Sequence, residues 1–457
     1  MTERLSLKTC IGFSVGTVGV SIMLNAVTAY YPAFMSTVMG QSPEISGFLL
    51  MASKLFDALI DVAVGTLSDR TRSRWGRRKP WLLAGGILSA ASFLMIFSPP
   101  ELSQGAVMAY MVAALLLYSL AYSLFNVPYM ALPAELTDGF HDRTRLLSWR
   151  TLFVSIGQLL SMAGTAALIE RGGGGAAGYA TMGLVMALII GGAMTATALA
   201  VPVTGNAPPR AGKHMPTLGQ LRAIVANRPY MMLLGAKVFQ FLAFASIASC
   251  GVLYLLNVLE VGYRGQIVLA VTQNVVQALS LPLWVRLGRQ KGKRFAYLCG
   301  VVLFCLGALS WLTATRDITT MGIVARGLLS GAGSGAIILM SISMLGDTLA
   351  YDRFITGEGR EGLLSSTVAV IEKTSFALGV AVLGLFLKAF HYVPTFGGKI
   401  VEQPESAVLA LKLGFAVIPA AIYAINAFFI LRYDLDEAKL DEAKRAAEDR
   451  FGSGDAG

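Results

Sequence analysis

The sequence predicts an all-α membrane protein with twelve transmembrane helices arranged as two six-helix bundles. Three observations lead to that fold class. Apolar residues make up 55% of the 457-residue chain and charged residues only 14%, with a mean hydropathy of +0.64, whereas a soluble domain carries about 25% charged residues. Apolar runs of about 20 residues or more, each long enough to cross about 30 Å of hydrocarbon, recur from end to end. A polar interruption in the middle of the chain leaves six runs on either side.

The first six runs fall near 8–37, 44–66, 80–98, 104–130, 147–169 and 178–203, and the second six near 230–257, 264–287, 294–314, 319–344, 363–390 and 406–432. Between them lies TGNAPPRAGKHMPTLGQLRAIVANRP, with four prolines and no sustained apolar run, read as a flexible linker with a short amphipathic helix around Leu218–Val225. The expected organisation is therefore an N-terminal bundle (1–203), a cytoplasmic linker (204–229), a C-terminal bundle (230–432) and a cytoplasmic tail (433–457). The tail's DEAK repeat reads as a solvated helix with intrahelical ion pairs. Basic loops recur at matching places, GTLSDRTRSRWGRRKP after run two and WVRLGRQKGKR after run eight, as two parallel repeats would place them.

The net charge of +10 fits membrane topology better than nucleic-acid binding. With the N-terminus inside, most of the 37 Lys and Arg residues fall on cytoplasmic segments, which is the positive-inside pattern and puts both termini in the cytoplasm. No cleavable leader is expected from MTERLSLKTCIGF, and no Asn-x-Ser/Thr sequon occurs, which fits a bacterial inner membrane. The four cysteines lie in apolar runs without a CxxC pair, and His141, His214 and His391 have no ligand-like spacing, so a metal enzyme is not expected. GxxxxGK[ST] is absent, against a primary pump. No cofactor is expected, and the protein is read as a monomer.

The chemistry concentrates in run two. Asp57 and Asp61 are one helical turn apart inside an apolar helix, with Lys54 on the same face. A carboxylate pair in hydrocarbon is too costly to be a packing device, and adjacent carboxylates need a cation or a shared proton. This points to a cation site open to water, with Na+ or H+ as the ion and Lys54 as an internal counter-charge. In run four, Ser123 and Asn126 share a face and Pro128 loosens the backbone. Arg150 near the start of run five and Lys373 inside run eleven are the other notable cations; a mid-membrane lysine faces a cavity and pairs with an acid. Glu372, about 100° away on the same helix, is expected to pair elsewhere.

Several of these segments resemble one known family. Gly65-x-x-x-Asp69-Arg70 after run two looks like the major facilitator superfamily. DALID at 57–61, SDRTRSRWGRRKPWLL at 68–83, NVPYMAL at 126–132 and AYDRFITGEGREGLLSS at 350–366 resemble the glycoside-pentoside-hexuronide:cation symporters, the group that includes melibiose permease and is related to lysophospholipid symporters. The resemblance covers essentially the whole chain. It implies a cation-coupled symporter working by alternating access on a glycoside-type solute, with a lysophospholipid symporter as the alternative. It further implies that Asp57 and Asp61 bind the coupling ion with Ser123 and Asn126. Asn25, Asn126, Met130, Arg150 and Lys373 are implied to line the substrate site, and Lys373 is implied to contact the carboxylate pair.

Charges at the cytoplasmic ends form another set: Asp69, Arg70, Arg74, Arg77 and Arg78; Asp138, Asp142, Arg143 and Arg145; Asp347, Asp352, Arg353, Arg360 and Glu361. As a set matching the family motif they are read as an inner gate. Four departures bear on the cargo. Gly19 or Val20 and Asn126 stand where sugar-carrying members have sugar-gripping aspartates. Met130 replaces a stacking tryptophan, and Ile60 removes an oxygen between the two aspartates. The usual galactoside grip is thus missing, while Asn25, Asn126, Arg150, Gln240 and Gln273 remain available to a different glycoside or uronate. A membrane enzyme finds no support in the motifs, and a passive channel or lipid scramblase is a further alternative.

Overall fold

A computed structural model describes residues 6–101, 103–137, 140–202, 227–357, 359–399 and 401–451. Most of the linker, including His214 and 218–225, lies outside the described residues, as does Asp138. The helices are α1 (Leu7–Thr37), α2 (Pro43–Arg70), α3 (Lys79–Phe97), α4 (Gln104–Leu136), α5 (Phe140–Leu159), α6 (Thr165–Arg171), α7 (Gly175–Ala200), α8 (Arg228–Asn257), α9 (Gly262–Lys291), α10 (Lys293–Leu309), α11 (Thr320–Thr356), α12 (Glu361–Ala389), α13 (Glu405–Lys412), α14 (Ile418–Leu431) and α15 (Glu437–Phe451). A π-helical turn at Leu160–Gly164 joins α5 to α6, and another at Leu413–Val417 joins α13 to α14. Each such pair makes one membrane crossing.

Eleven crossings among the described residues qualify by length and apolarity. The twelfth is α2, a 28-residue helix whose middle carries Lys54, Asp57 and Asp61. Helical backbone satisfies its own hydrogen bonds, so helices continue past the hydrocarbon boundary that hydropathy marks. Asp69 and Arg70 therefore belong to the last turn of α2, and Asp347, Asp352 and Arg353 to α11, instead of to loops. The end of α11 is set by Gly357, whose left-handed backbone (φ 70°) turns its N–H onto the Arg353 carbonyl at 2.9 Å.

The chain divides into two compact units. The first contains Met1–Gly212, Ala248–Val271 and Val380–Leu411; the second contains Lys213–Ile247, Thr272–Gly379 and Lys412–Gly457.

In the first unit, an aromatic cluster of Phe34, Phe93, Phe97 and Tyr179 ties α1, α3 and α7 together, with centroids 4.9–6.0 Å apart. Helices in lipid associate by close packing of small residues. At Gly85 a Cβ would lie 2.5 Å from the Phe125 amide nitrogen, so only glycine permits the α3–α4 crossing. On the face away from the chain's N-terminus, the 391–404 segment is clasped onto the end of α1. The amides of Thr395, Gly397 and Gly398 donate to the carbonyls of Ser36, Val38 and Thr37 at 2.7–2.9 Å. Met39 and Phe396 form an antiparallel bridge there. Lys388 pairs with Glu44 at 2.7 Å, Arg264 with Glu170 at 2.9 Å, and the Tyr263 hydroxyl donates to Tyr179 at 2.9 Å.

In the second unit, Trp284, Tyr297, Phe304, Met340 and Tyr423 are buried in a core between α9, α10, α11 and α14. The glycine-rich stretch SGAGSG (330–335) brings α11 against its neighbours: a Cβ on Gly333 would meet the Phe304 nitrogen at 2.5 Å. Polar rungs run along the α9–α11 seam. Gln273 Nε2 donates to Ser330 Oγ at 2.9 Å, and Ser334 Oγ donates to Gln277 Oε1 at 3.4 Å.

Candidate functional site

The seam between α2 and α4 carries the candidate site. Both helices run in the same direction, so side chains four residues apart on each stay in register. Ser53 and Ser119 meet first, their hydroxyl oxygens 2.7 Å apart, with Ser119 Oγ also 2.9 Å from the Ser53 carbonyl. One turn further along, Ser123 Oγ lies 2.9 Å from Asp57 Oδ1 and 2.7 Å from Asp61 Oδ1. Ser123 is fully buried and Asp57 is only 2% exposed, while Asp61 and the intervening Ile60 are half-buried. The carboxylate pair is thus enclosed at the Asp57 end and more open at the Asp61 end.

A serine hydroxyl has one proton and two lone pairs. It can donate to one of these carboxylates, while the other approaches a lone pair. Two negative oxygens at these separations from one hydroxyl are stabilised by nearby positive charge, which a proton on one carboxylate, a bound cation or a neighbouring ammonium can supply. Two carboxylates and a hydroxyl supply hard oxygen donors for Na+, and the same atoms accommodate one shared proton. Lys54, one turn before Asp57 and buried, places its ammonium 5.7 Å from the Tyr118 ring and 6.0 Å from that of Tyr122. Both rings offer their faces to the ammonium.

Each of the remaining sequence-predicted residues is placed within its own unit. Asn126 is half-buried on α4, three residues past Ser123. The Asn25 side chain is turned onto its own helix, Nδ2 donating to the Ser21 carbonyl at 2.9 Å. Met130 is 52% exposed, and its sulfur accepts from Arg150 Nη2 at 3.4 Å. Lys373 is half-buried on α12 in the second unit. Its neighbour Glu372 pairs with buried Lys237 of α8 at 2.9 Å. Gln240 accepts from Ser341 at 3.2 Å and Gln273 is engaged with Ser330.

The predicted gate charges form compact groups within each unit. In the first, Arg78 reaches Asp69 (2.5 Å), Glu135 (2.9 Å) and Ser68 (2.8 Å), while Arg77 reaches Glu135 (2.6 Å). Glu135, in the last turns of α4, is the residue the sequence reading missed. An acid at the end of a long apolar helix was the available signal. Arg70 and Arg145 are exposed, Arg74 lies over Trp75 at 5.4 Å, and the Arg143 side chain falls outside the described residues. In the second unit, Arg360 grips Asp352 with two bonds of 2.7 and 2.9 Å, and Asn227 donates to the same carboxylate at 2.7 Å. Arg353 and Glu361 stand 3.9 Å apart at the surface. Among the described residues no group of three His, Cys, Asp or Glu side chains is placed to hold a metal.

A family model described as MFS/sugar transport protein matches residues 12–437. The isoprimeverose transporter of Lactiplantibacillus pentosus is 23% identical, over 93% of this chain and 88% of its own length. The glucuronide carrier protein homolog of Escherichia coli strain K12 is 25% identical, over 97% of this chain and 95% of its own. Among solved structures, a bacterial homolog of the human lysosomal transporter Spinster, inward-facing and unoccupied, superposes with a TM-score of 0.66. That structure shares 12% identity and covers 97% of each chain, a likeness of fold alone.

Proposed function

This chain belongs to the MFS/sugar transport protein family, and from that premise we propose that it is a symporter coupling entry of a monovalent cation to uptake of a glycoside-type solute. It is an integral multi-pass membrane transporter and not an enzyme. The observation that carries the coupling is Ser123 Oγ held 2.7–2.9 Å from two carboxylates on α2. An empty pair leaves net negative charge in a membrane interior, which is costly. A proton or Na+ on Asp57 and Asp61 removes that cost and lets the apolar helices close around a loaded site. The sugar-linked names of the isoprimeverose transporter and the glucuronide carrier homolog support the solute class.

Alternating access requires the far-side clasp of α1 with the 391–404 segment to open and reseal in each cycle. Its short backbone bridge and its Lys388–Glu44 pair are suited to that, being few in number. The test is uptake by purified protein in liposomes under an imposed Na+ or pH gradient, with panels of glycosides and lysophospholipids. Accumulation of a glycoside above its external concentration, under one gradient and not without it, supports the proposal. Equilibration without accumulation is the result of a passive pathway and refutes it.

A further inference from the structure

The fifth and twelfth crossings are each interrupted by one π-helical turn, at Leu160–Gly164 and Leu413–Val417. A π turn bonds an amide to the carbonyl five residues back, so it widens the helix and disturbs its regular ladder. The Thr165 amide donates to the Leu160 carbonyl in this way, and the Ile418 amide to that of Leu413. In the twelfth crossing the next residue is Pro419, which has no N–H to give. The Gly414 carbonyl is therefore left with neither its α-helical nor its π-helical partner.

A neighbouring helix completes each turn. Ser246 Oγ of α8 donates to the Gly414 carbonyl at 2.5 Å, and the Tyr30 hydroxyl of α1 donates to the Met162 carbonyl. Both side chains are fully buried. Broken helices are tolerated inside a membrane where a neighbour's hydroxyl satisfies the freed backbone.

The short end segment that each π turn separates from its crossing belongs to the far-side seal. After the first turn comes α6, whose Glu170 pairs with Arg264 at 2.9 Å. Before the second lies α13, whose Ser406 hydroxyl donates to the Phe390 carbonyl at 2.9 Å. Gln403, just ahead of α13, is bonded both to the amide and to the carbonyl of Val393, at 2.9 and 2.8 Å. On the other side of the first turn α5 is clamped: a Cβ on Gly157 would lie 2.7 Å from Ser21 Cβ of α1. A clamped shaft, a loosened turn and a sealing segment thus follow one another along the fifth crossing.

We propose that the two π turns are hinges of the transport cycle, on which α6 and α13 swing out of the seal, and that Tyr30 and Ser246 latch them when the far side is shut. Tyr30 and Ser246 are positioning residues, acting through the hinge backbone. One hydroxyl-to-carbonyl bond is a modest net restraint, which suits a latch that breaks and reforms in every cycle. The inference holds whichever solute or cation is carried.

The test needs no solute. Ser36, buried in the clasp, is replaced by cysteine (Ser36→Cys), and the four native cysteines by alanine. Modification by a membrane-impermeant maleimide is then timed on the full-length protein in liposomes, and its rate reads how often the far side opens. Tyr30→Phe and Ser246→Ala should each raise that rate about 3- to 10-fold, the shift that one lost net hydrogen bond gives. Pro419→Ala returns an N–H to the second turn and should lower the rate by a similar factor. A misfolded protein would expose the thiol, so a slower rate cannot come from misfolding. Tyr110 supplies the control, since its hydroxyl donates to the Met95 carbonyl at 3.1 Å away from either π turn. Tyr110→Phe should leave the rate unchanged. Unaltered rates in the three hinge variants, or an equal rise in Tyr110→Phe, overturn the inference.

Discussion

Ser123 Oγ lies 2.7 Å from Asp61 Oδ1, and the same oxygen lies 2.9 Å from Asp57. One hydroxyl thereby joins two acids that would otherwise repel across a single helical turn. A hydrogen bond to a charged group contributes about 1.5–3 kcal/mol. Replacing Ser123 with Ala should therefore raise the half-saturating cation concentration for uptake by roughly 10- to 100-fold, with the maximal rate less affected. Cation titration of uptake in liposomes measures this, and an unchanged half-saturation point would remove Ser123 from the site.

The far-side clasp predicts a conditional block. Met39 and Phe396 are an antiparallel bridge pair, and such pairs have Cα atoms about 4.5–5.5 Å apart, within disulfide reach. The Met39→Cys, Phe396→Cys double variant should lose uptake on oxidation and recover it on reduction, while each single variant stays insensitive. Full uptake by the oxidised, cross-linked protein would show that this clasp does not move.

Stability should respond sharply at the second unit's buried pair. Asp352 is 1% exposed and Arg360 8%, joined by two hydrogen bonds. Removing one member of such a pair costs about 3–5 kcal/mol. Asp352→Asn should lower the melting temperature in detergent clearly more than Arg353→Gln, whose partner is 3.9 Å away at the surface. Equal shifts for the two variants would contradict the assignment.

Lys237 and Glu372 allow a further check on charge pairing. They are 2.9 Å apart, so neutralising either alone leaves a charge inside the membrane, whereas neutralising both does not. The double variant Lys237→Met, Glu372→Gln should melt closer to wild type than either single variant does. A double variant less stable than both singles would mean that the pair has other work, such as contacting the solute.

Local periodicity made the core of the site legible. Asp57 and Asp61 share a face because a helix turns every 3.6 residues, and their charge conflicts with the apolar run around them. Ser123 has no such local signal. It is 62 residues from Asp61, and only the family resemblance pointed to it. Glu135 was missed for the same reason, since its partners Arg77 and Arg78 are 58 and 57 residues away. The Glu44–Lys388 pair spans most of the chain and leaves no trace in spacing. Asn25 adopts a conformation that spacing does not reveal: a short polar side chain inside a helix readily turns onto the carbonyl four residues back, as its Nδ2 does to Ser21. Hydropathy placed the twelve crossings but cut α11 at 344, because it reports the extent of hydrocarbon and not the end of the helix, which runs to Thr356.

The most direct measurement is solute flux through the Asp61→Asn variant in two modes, uphill accumulation under a cation gradient and exchange at equilibrium. Asparagine keeps the size and a hydrogen-bond acceptor for Ser123 but cannot take up and release the compensating charge. Uphill accumulation should vanish while exchange persists. Accumulation at the wild-type level would mean that the acidic pair on α2 does not power transport.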